Sequence, residues 1–311
     1  MDARTEAEIM KNWPTDSSRP VVSVVCLTFN HRDYIAQAID GFLRQQTNFP
    51  FEIIINDDAS TDGTRDVLKD YESRYPKLIR LILQQENQYS LGKPYGMPVF
   101  QHARGDYIAY CEGDDYWNDP RKLQLQVDFL ENNRDYALTF HASYAFNSKG
   151  IVNPQRFDGQ DHYDRSETEL KQALPLSTLT ACFRNVLREL PPELETAALM
   201  DIVWWSLLGA HGKGKFMDEI RPAAYRVHEG GIFSMRASQK RLQMDLHTQY
   251  CLANYYYRLG DRDLHIFFLR QVLSLSLSSI PPTQKVKALL RAVCNITVNI
   301  GRRFAPKRVT Y

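Results

Sequence analysis

Four short, mainly apolar runs constrain the fold of this chain more than any other feature. The runs cover residues 21–28, 51–55, 79–83 and 107–111. Each is rich in β-branched and aromatic residues and too short for a helix, which is typical of strands buried on both faces. Segments long enough for a helix separate them, and apolar residues at helical spacing follow the first two runs. The pattern therefore predicts an open α/β sheet with right-handed parallel connections.

The remaining elements follow from the same reading of apolar spacing. We predict a helix after Pro120, a strand at residues 136–140, an apolar helix at residues 199–208 and helical structure from Gln239 onward. Residues 147–169 are polar and irregular, and we expect a loop there, close to a substrate.

Composition bounds the class of protein. The 311 residues are 43% hydrophobic and 24% charged, as in an ordinary globular protein. The net charge of +1 hides a basic end, because residues 264–311 contain eight Lys or Arg and no acidic residue. The five cysteines are far apart, so we expect free thiols, no metal site built from them and a reducing, cytoplasmic setting. An acidic body without a base-stacking module argues against a nucleic-acid partner.

Two acidic pairs follow strands of the predicted sheet. Asp57 and Asp58 come after the second run, and Asp114 and Asp115 after the fourth. Ligands of open α/β sheets bind beyond the carboxyl ends of the strands, so both pairs are expected at one crevice. Crowded carboxylates repel one another unless a cation lies between them, and a hard divalent ion that keeps open positions for phosphate oxygens is the usual one. A phosphorylated substrate, such as a nucleotide derivative, is indicated.

The order and spacing of four motifs resemble one family. The motifs are Val-Ser-Val-Val-Cys-Leu-Thr-Phe-Asn at residues 22–30, Asp-Asp-Ala-Ser-Thr-Asp-Gly-Thr at 57–64, Ala-Arg-Gly-Asp-Tyr-Ile at 103–108 and Glu-Gly-Asp-Asp-Tyr-Trp at 112–117. Together they resemble the inverting glycosyltransferases of family 2, which have the GT-A fold and use nucleotide sugars. The likeness covers about residues 20–235, and the last motif is similar to bacterial members that build surface polysaccharides.

The resemblance implies roles for the strand-end residues. It implies that Asp58 accepts a hydrogen bond from a uracil base, and that Thr28, Phe29 and Asn30 wall the base pocket. It implies contacts of Asp114 with ribose and metal, and of Asp115 with the Mg²⁺ or Mn²⁺ ion that bridges the two phosphates. Two alternatives stay open, a helix cap near Asp62 formed by Asp57 or Asp58 and a solvated turn at the acidic pair.

The chain departs from the family pattern at two places. Glu112 stands where the family usually has an aspartate, and we expect it near the metal or the sugar without binding the ion directly. The family's Ala-Arg-Asn stretch is absent from residues 88–102, so Lys93 is a candidate phosphate contact, with a solvated loop lysine as the alternative.

The chemistry of transfer needs a base, and the resemblance places it at Asp201. Inversion requires that the acceptor hydroxyl lose its proton as it attacks, and a carboxylate opposite the leaving diphosphate can take it. The alternative is that Asp201 only caps its helix. One of Trp204 and Trp205 could stack on a sugar, while the other belongs to the core. His228, in a late family motif, is a candidate metal or diphosphate contact, with a structural turn as the alternative.

The C-terminal region carries a separate prediction. From Val286, apolar residues recur at helical spacing with Lys and Arg beside them, which is typical of a helix at the surface of a membrane. Packing on the catalytic domain or in a homodimer is the alternative. We expect a polar extension at residues 1–19, a GT-A domain at 20–235 and a helical extension at 236–311, with no apolar run long enough to span a membrane.

The expected function is metal-dependent transfer of a sugar from a nucleotide sugar to a saccharide or a lipid-linked acceptor, at the inner face of the cell membrane. Two rivals remain. A sugar-phosphate nucleotidyltransferase would need a glycine-rich basic loop where this chain has Thr-Phe-Asn-His-Arg at residues 28–32. A non-catalytic, membrane-associated binding subunit would keep the fold without turnover.

Overall fold

The computed structural model describes residues 4–15, 19–92, 97–154, 162–228 and 238–278. The strands in these parts are β1 (Val22–Thr28), β2 (Phe51–Asp57), β3 (Ile79–Leu83), β4 (Tyr107–Tyr110), β5 (Tyr136–Phe140), β6 (Ser143–Asn147), β7 (Gly150–Asn153), β8 (Cys182–Arg184), β9 (Lys213–Phe216) and β10 (Ala223–Arg226). The helices are α1 (Glu6–Met10), α2 (Ile35–Leu43), α3 (Thr64–Arg74), α4 (Met97–Phe100), α5 (Lys122–Asn132), α6 (Glu167–Lys171), α7 (Met200–Leu208), α8 (Ser238–Arg258) and α9 (Arg262–Ser278).

A seven-stranded mixed sheet organises the fold, with the strand order β3-β2-β1-β4-β8-β5-β9. Strands β3, β2, β1 and β4 are mutually parallel, and β8 runs antiparallel to both of its neighbours. The register pairs Thr28 of β1 with Asp57 of β2, while β4 pairs along the first half of β1. The carboxyl ends of β1, β2 and β4 therefore open onto one edge, and the predicted open α/β sheet is confirmed.

The first strand shows why short apolar runs formed the centre of the sheet. Val22, Val24 and Cys26 face one apolar cluster, together with α2, α3 and α5. Val25 and Leu27 face a second cluster on the opposite side, which includes residues of α7, α8 and α9. Because successive side chains of a strand point to opposite faces, a strand covered on both sides must be apolar throughout.

A second, smaller sheet lies beside the first, in the order β10-β6-β7. The expectation of irregular structure throughout residues 147–169 was wrong, because β7 pairs antiparallel with β6 and α6 begins at a capping box formed by Ser166 and Glu169. A backbone bridge between Tyr116 and Ala224 ties the acidic loop to β10. The small sheet thus positions one side of the crevice.

Helices α8 and α9 pack against each other, and α8 packs on α7, within the apolar cluster that covers one face of the main sheet. Leu252 and Tyr256 of α8 and Phe268 of α9 lie in the same apolar cluster as Trp204 and Trp205 of α7. The predicted division near residue 235 stays a prediction, and the predicted amphipathic helix from Val286 lies outside the described residues. In the described part of the chain, no helix is long and apolar enough to cross a membrane.

The cysteines of the described residues are free thiols in the interior. Cys26, Cys111, Cys182 and Cys251 are buried without disulfides, as expected, and Cys294 lies outside the described residues. Burial raises the pKa of both the Cys26 and the Cys111 thiols well above the ordinary value. These thiols are therefore protonated packing groups at neutral pH.

Candidate active site

A cavity of about 580 Å³ opens at the carboxyl ends of β1, β2 and β4. The predicted site residues that line it are Thr28, Phe29, Asp58, Glu112, Asp114, Asp115, Asp201, Trp204 and Trp205. Asn30 and His228 lie outside this lining, and Lys93 lies outside the described residues. Asp58, Asp114, Asp115 and Asp201, which come from three distant parts of the sequence, thus share one cavity of the size that small-molecule ligands occupy.

Asp58 joins two loops at the β2 end of the cavity. Its Oδ1 accepts the backbone N–H of Gln88 at 2.7 Å, and its Oδ2 accepts that of Tyr89 at 3.1 Å. The suggestion that it caps α3 was wrong, since the cap position is Gly63 and the carboxylate that accepts the Thr64 N–H is Asp62. Asp58 therefore holds the segment after β3 against the mouth of the cavity, and its proposed contact with a base stays a prediction.

The loop after β1 has its own internal support. Asn30 adopts a left-handed backbone conformation with a φ of 54°, and its Oδ1 accepts the Thr61 N–H at 2.9 Å. Its backbone N–H donates to Ser60 at 2.8 Å. These bonds fasten the end of β1 to the end of β2, so Asn30 shapes the pocket while the side chains of Thr28 and Phe29 reach the cavity.

Gly113 lets the acidic loop cross directly over β1. A Cβ at this position would lie 2.8 Å from both the Thr28 Oγ1 and the Ile35 Cδ1. Any larger residue would push the loop away from the strand end. The absence of a side chain at Gly113 therefore brings the Asp114 and Asp115 carboxylates to the cavity.

The two aspartates of the acidic loop have different partners. Asp114 Oδ2 lies 3.0 Å from His228 Nε2 and 3.9 Å from His31 Nε2. Asp115 is buried, and its Oδ1 accepts the backbone N–H of Arg226 at 2.7 Å. The acidic pair is therefore not a solvated turn.

Arg226, at the end of β10, holds the acidic loop in place through hydrogen bonds. Its Nε donates to the Asp114 carbonyl at 2.8 Å, and its Nη2 donates to Gln37 at 2.6 Å. Its guanidinium also lies 4.6 Å from the ring centroids of both Tyr34 and Phe146. The cation is thus held by α2, the small sheet and the acidic loop at the same time.

His31, Asp114 and His228 form a cluster that could hold a divalent metal. Their nearest ligand atoms all lie within 4.8 Å of one another. Burial lowers the pKa of His31, so its ring is neutral at neutral pH. Burial alone would raise the pKa of Asp114, but the hydrogen bond from His228 and the nearby His31 together lower it. A neutral imidazole and an ionised carboxylate are the forms that bind metal ions.

Asp201 lies in the first turn of α7, on the wall of the cavity. The helix begins at Met200, so Leu199 and not Asp201 occupies the N-cap position. The Leu199 N–H donates to the buried Thr248 hydroxyl of α8 at 3.0 Å, which fixes the start of α7. The role of Asp201 as the general base stays a prediction.

Trp204 and Trp205 both pack in the core. Their exposed fractions are 2% and 0%. The Trp204 ring centroid lies 4.8 Å from that of Phe100 and 5.1 Å from that of Tyr110, and Trp205 contacts Phe183 edge to face. Both border the cavity, but a sugar could stack on a ring face only after a neighbouring side chain moved.

Sequence reasoning missed two groups of cavity residues. His31 follows the predicted pocket residues Thr28 to Asn30 directly, and that position is the signal that could have identified it. Arg241 and Asp245 of α8 also line the cavity. They come from the predicted C-terminal extension, and no motif links them to the strand ends.

The family assignment follows from comparison with known sequences. The sequence profile described as Glycosyl transferase family 2 matches residues 23–191, more than half of the chain. The chain belongs to this family.

Two curated relatives are similar over part of the chain. A Mycobacterium tuberculosis protein with no assigned function is 46% identical over 121 residues, which are 39% of this chain and 34% of the relative. EpsE of Bacillus subtilis, named as a glycosyltransferase, is 36% identical over 135 residues, which are 43% of this chain and 47% of EpsE. The matched part thus spans less than half of the length of these relatives.

Two solved structures have a similar fold at 16% sequence identity. TarS from S. aureus, in complex with UDP-GlcNAc, aligns with a TM-score of 0.60 over 85% of this chain and 77% of the TarS chain. The mannosyltransferase PcManGT from Pyrobaculum calidifontis, in complex with GDP-Man and Mn²⁺, aligns with a TM-score of 0.52 over 90% and 83% of the two chains. At this identity the likeness concerns the fold, and it agrees with the GT-A architecture.

Proposed function

We propose that this chain is a metal-dependent inverting glycosyltransferase that moves a sugar from a nucleotide sugar, a UDP-sugar, to a hydroxyl of a saccharide or lipid-linked acceptor. One observation carries the proposal. Asp58, Asp114, Asp115 and Asp201 line a single cavity at the carboxyl edge of the sheet, where ligands of such sheets bind. The names of the family and of the similar proteins support the same reaction class.

The charge of the cavity supports a metal ion. Six carboxylates of the described residues line it, those of Asp58, Glu112, Asp114, Asp115, Asp201 and Asp245. Among the described residues, Arg241 is the single Lys or Arg in the lining. A nucleoside diphosphate would be repelled by these carboxylates without a further cation. His31, Asp114 and His228 fit a divalent ion such as Mg²⁺ or Mn²⁺. A bound ion would offset the charge that develops on the departing diphosphate.

The reaction is a single displacement carried by Asp201. Its carboxylate takes the proton of the acceptor hydroxyl as that oxygen attacks the anomeric carbon of the donor. The bond between the anomeric carbon and the diphosphate oxygen breaks, and the electron pair leaves with the nucleoside diphosphate. The products are a glycoside of inverted configuration, a nucleoside diphosphate and a proton on Asp201. Asp58, Thr28 and Phe29 would bind the nucleoside at the opposite end of the cavity.

The loop after β1 argues against the nucleotidyltransferase alternative. That chemistry needs a glycine-rich basic loop that wraps around phosphates. Here the loop is fixed instead by Asn30, Ser60 and Thr61, and its next residue is His31. A non-catalytic binding subunit would differ from the proposed enzyme only in lacking turnover, so a turnover measurement distinguishes the two.

The test measures release of nucleoside diphosphate from UDP-sugars and GDP-mannose, with and without Mn²⁺. Wild type should release UDP, and Asp201→Asn should reduce turnover by about 10²-fold or more while it still binds the nucleotide. Asp66→Asn is the matched control, because Asp66 is an exposed aspartate in the first turn of α3. Full activity of Asp201→Asn would disprove its role as the base, and absence of turnover with every donor would favour the binding subunit.

A further inference from the structure

The helical hairpin formed by α8, α9 and the turn between them carries half of the exposed large apolar side chains in the described residues. Ten such side chains are exposed, and five of them lie between residues 250 and 273. These five are Tyr250, Tyr257, Leu259, Leu269 and Leu273, with exposed fractions from 36% to 72%. Exposed apolar side chains concentrated in this way mark a surface that meets another molecule or a membrane.

Helix α9 is apolar on two opposite sides. Leu264 and Phe268 are buried in the cluster shared with α7 and α8. At about 100° per residue, a second apolar row lies on the opposite side of the helix. This row, the outer face of α9, consists of the exposed Leu269 and Leu273 and the half-buried Ile266 and Leu277. A helix that is apolar all round is normally covered on every side, so the outer face requires a partner.

The exposed tyrosines of α8 lie beside the outer face of α9. The Tyr257 ring packs against His265 of α9, with the two ring centroids 5.1 Å apart. Tyr250 lies seven residues before Tyr257, which places both tyrosines on the same side of α8. His265 lies one helical turn before Leu269, so the tyrosines and the leucines belong to one continuous surface. Tyrosine is enriched where proteins meet the headgroup level of a membrane.

The charge of this part of the chain favours one partner. Arg262 and Arg270 are exposed on α9, where Asp263 is the single acidic residue. Residues 264–311 contain eight Lys or Arg and no acidic residue. A second copy of the chain would add the same positive charge without an acidic partner, whereas the headgroups of anionic lipids attract such charge.

We propose that the outer face of α9, together with Tyr250 and Tyr257, docks on an anionic membrane surface. The hairpin lies along the headgroups, with Leu269 and Leu273 at the boundary of the acyl chains. Four residues near the start of α8 line the cavity, so docking holds the cavity beside the membrane. Access to a lipid-linked acceptor follows from this position and rests on the proposed function, but lipid binding does not.

The test measures cosedimentation of the full chain with vesicles of phosphatidylcholine alone or mixed with phosphatidylglycerol. Wild type should bind the anionic vesicles about ten-fold more tightly, and high salt should weaken this binding. Leu269→Gln combined with Leu273→Gln should weaken binding by about ten-fold without a change of charge. Ile151→Gln combined with Val152→Gln is the matched control, because it replaces two exposed apolar side chains of β7.

Two measurements without lipid detect other partners of the outer face. If another part of the chain covers this face, the Tm of the Leu269 and Leu273 double variant should fall by about 4 °C or more. If a second copy covers it, light scattering should show a wild-type dimer that the double variant lacks. Either result overturns the proposal.

The vesicle assay can also overturn the proposal by itself. It does so if wild type does not bind anionic vesicles more tightly than neutral ones, or if the folded double variant binds them as wild type does. No sugar donor is present in this assay, so its result is independent of glycosyl transfer. Vesicle binding by a wild type that releases no nucleoside diphosphate from any donor would sustain the docking surface and reject the proposed function.

Discussion

A lysine buried in the core offers a quantitative test of the packing. Lys122, the first residue of α5, is fully buried, and its ammonium donates to Gln126 at 2.6 Å. The ammonium also lies 4.2 Å from the ring centroid of Trp117. Burial is the largest influence on this group and lowers the pKa of Lys122 from 10.5 to about 8. Lys122→Met keeps the length of the side chain and removes the charge.

The direction in which stability changes with pH follows from proton binding to Lys122 in the folded and unfolded states. Between pH 8 and 10.5 the unfolded chain binds the proton at this lysine and the folded chain does not, so the free energy of unfolding of wild type rises with pH. Below pH 8 the folded protein carries the buried charge at a cost of about 3 kcal/mol, from the lowered pKa at about 1.4 kcal/mol per unit. The cost falls to about 1 kcal/mol at pH 10.

The substitution should therefore stabilise the protein at neutral pH. Loss of the hydrogen bond to Gln126 and of the contact with Trp117 offsets about 1 to 2 kcal/mol, which leaves a gain of about 1 kcal/mol for Lys122→Met at pH 7. The gain should fall by about 2 kcal/mol between pH 7 and pH 10 and so reverse its sign.

Urea unfolding of wild type and Lys122→Met at the two pH values measures this difference. Lys69→Met, which removes an exposed lysine of α3, is the control and should show no such change with pH. A Lys122→Met variant that is less stable than wild type at pH 7 and unchanged relative to it at pH 10 would refute the reasoning.

Three further substitutions test the support of the site. Arg226→Lys removes the bond to the Asp114 carbonyl, and the affinity for Mn²⁺ in the presence of UDP should fall about ten-fold; unchanged affinity would contradict the positioning role. Gly113→Ala places a Cβ 2.8 Å from the Thr28 hydroxyl, so urea unfolding should show a loss of about 1 to 3 kcal/mol, and a neutral effect would argue against close contact. Thr248→Val leaves the Leu199 N–H without its acceptor, so the free energy of unfolding should fall by about 1 to 3 kcal/mol. The value of kcat should also fall by a larger factor than KM changes. A variant with wild-type stability would show that this bond is unimportant.

The sequence predicted five of the seven strands of the main sheet, β1 to β5, because these strands are mainly apolar, whereas the short strands β8 and β9 were not predicted. Strands β3 and β5 begin and end at the predicted residues, and β1, β2 and β4 do so within one or two. Mainly apolar runs of this length, bounded by turn-forming residues, favour strands over helices. The hairpin of β6 and β7 escaped notice because its strands are short and partly exposed, so they carry no clear apolar period.

The acidic residues of the cavity were predictable because they follow strands directly. Asp58 and Asp114 reach the cavity from parallel strands whose carboxyl ends share an edge. Arg241 was not predictable in this way, since α8 meets the cavity through packing between distant parts of the chain. His31 lacked a partner at ligand spacing in the sequence, because Asp114 and His228 approach it through β4 and β10.

Calorimetric titration of UDP into the full chain, with and without Mn²⁺, most directly tests the claim that one cavity binds a nucleoside diphosphate through a metal ion. We predict that tight binding of UDP requires Mn²⁺, that Asp114→Asn abolishes the metal-dependent part, and that Asp58→Asn weakens UDP binding while Mn²⁺ still binds. Equal affinity for UDP with and without Mn²⁺ in wild type, or wild-type behaviour of both folded variants, would contradict the account.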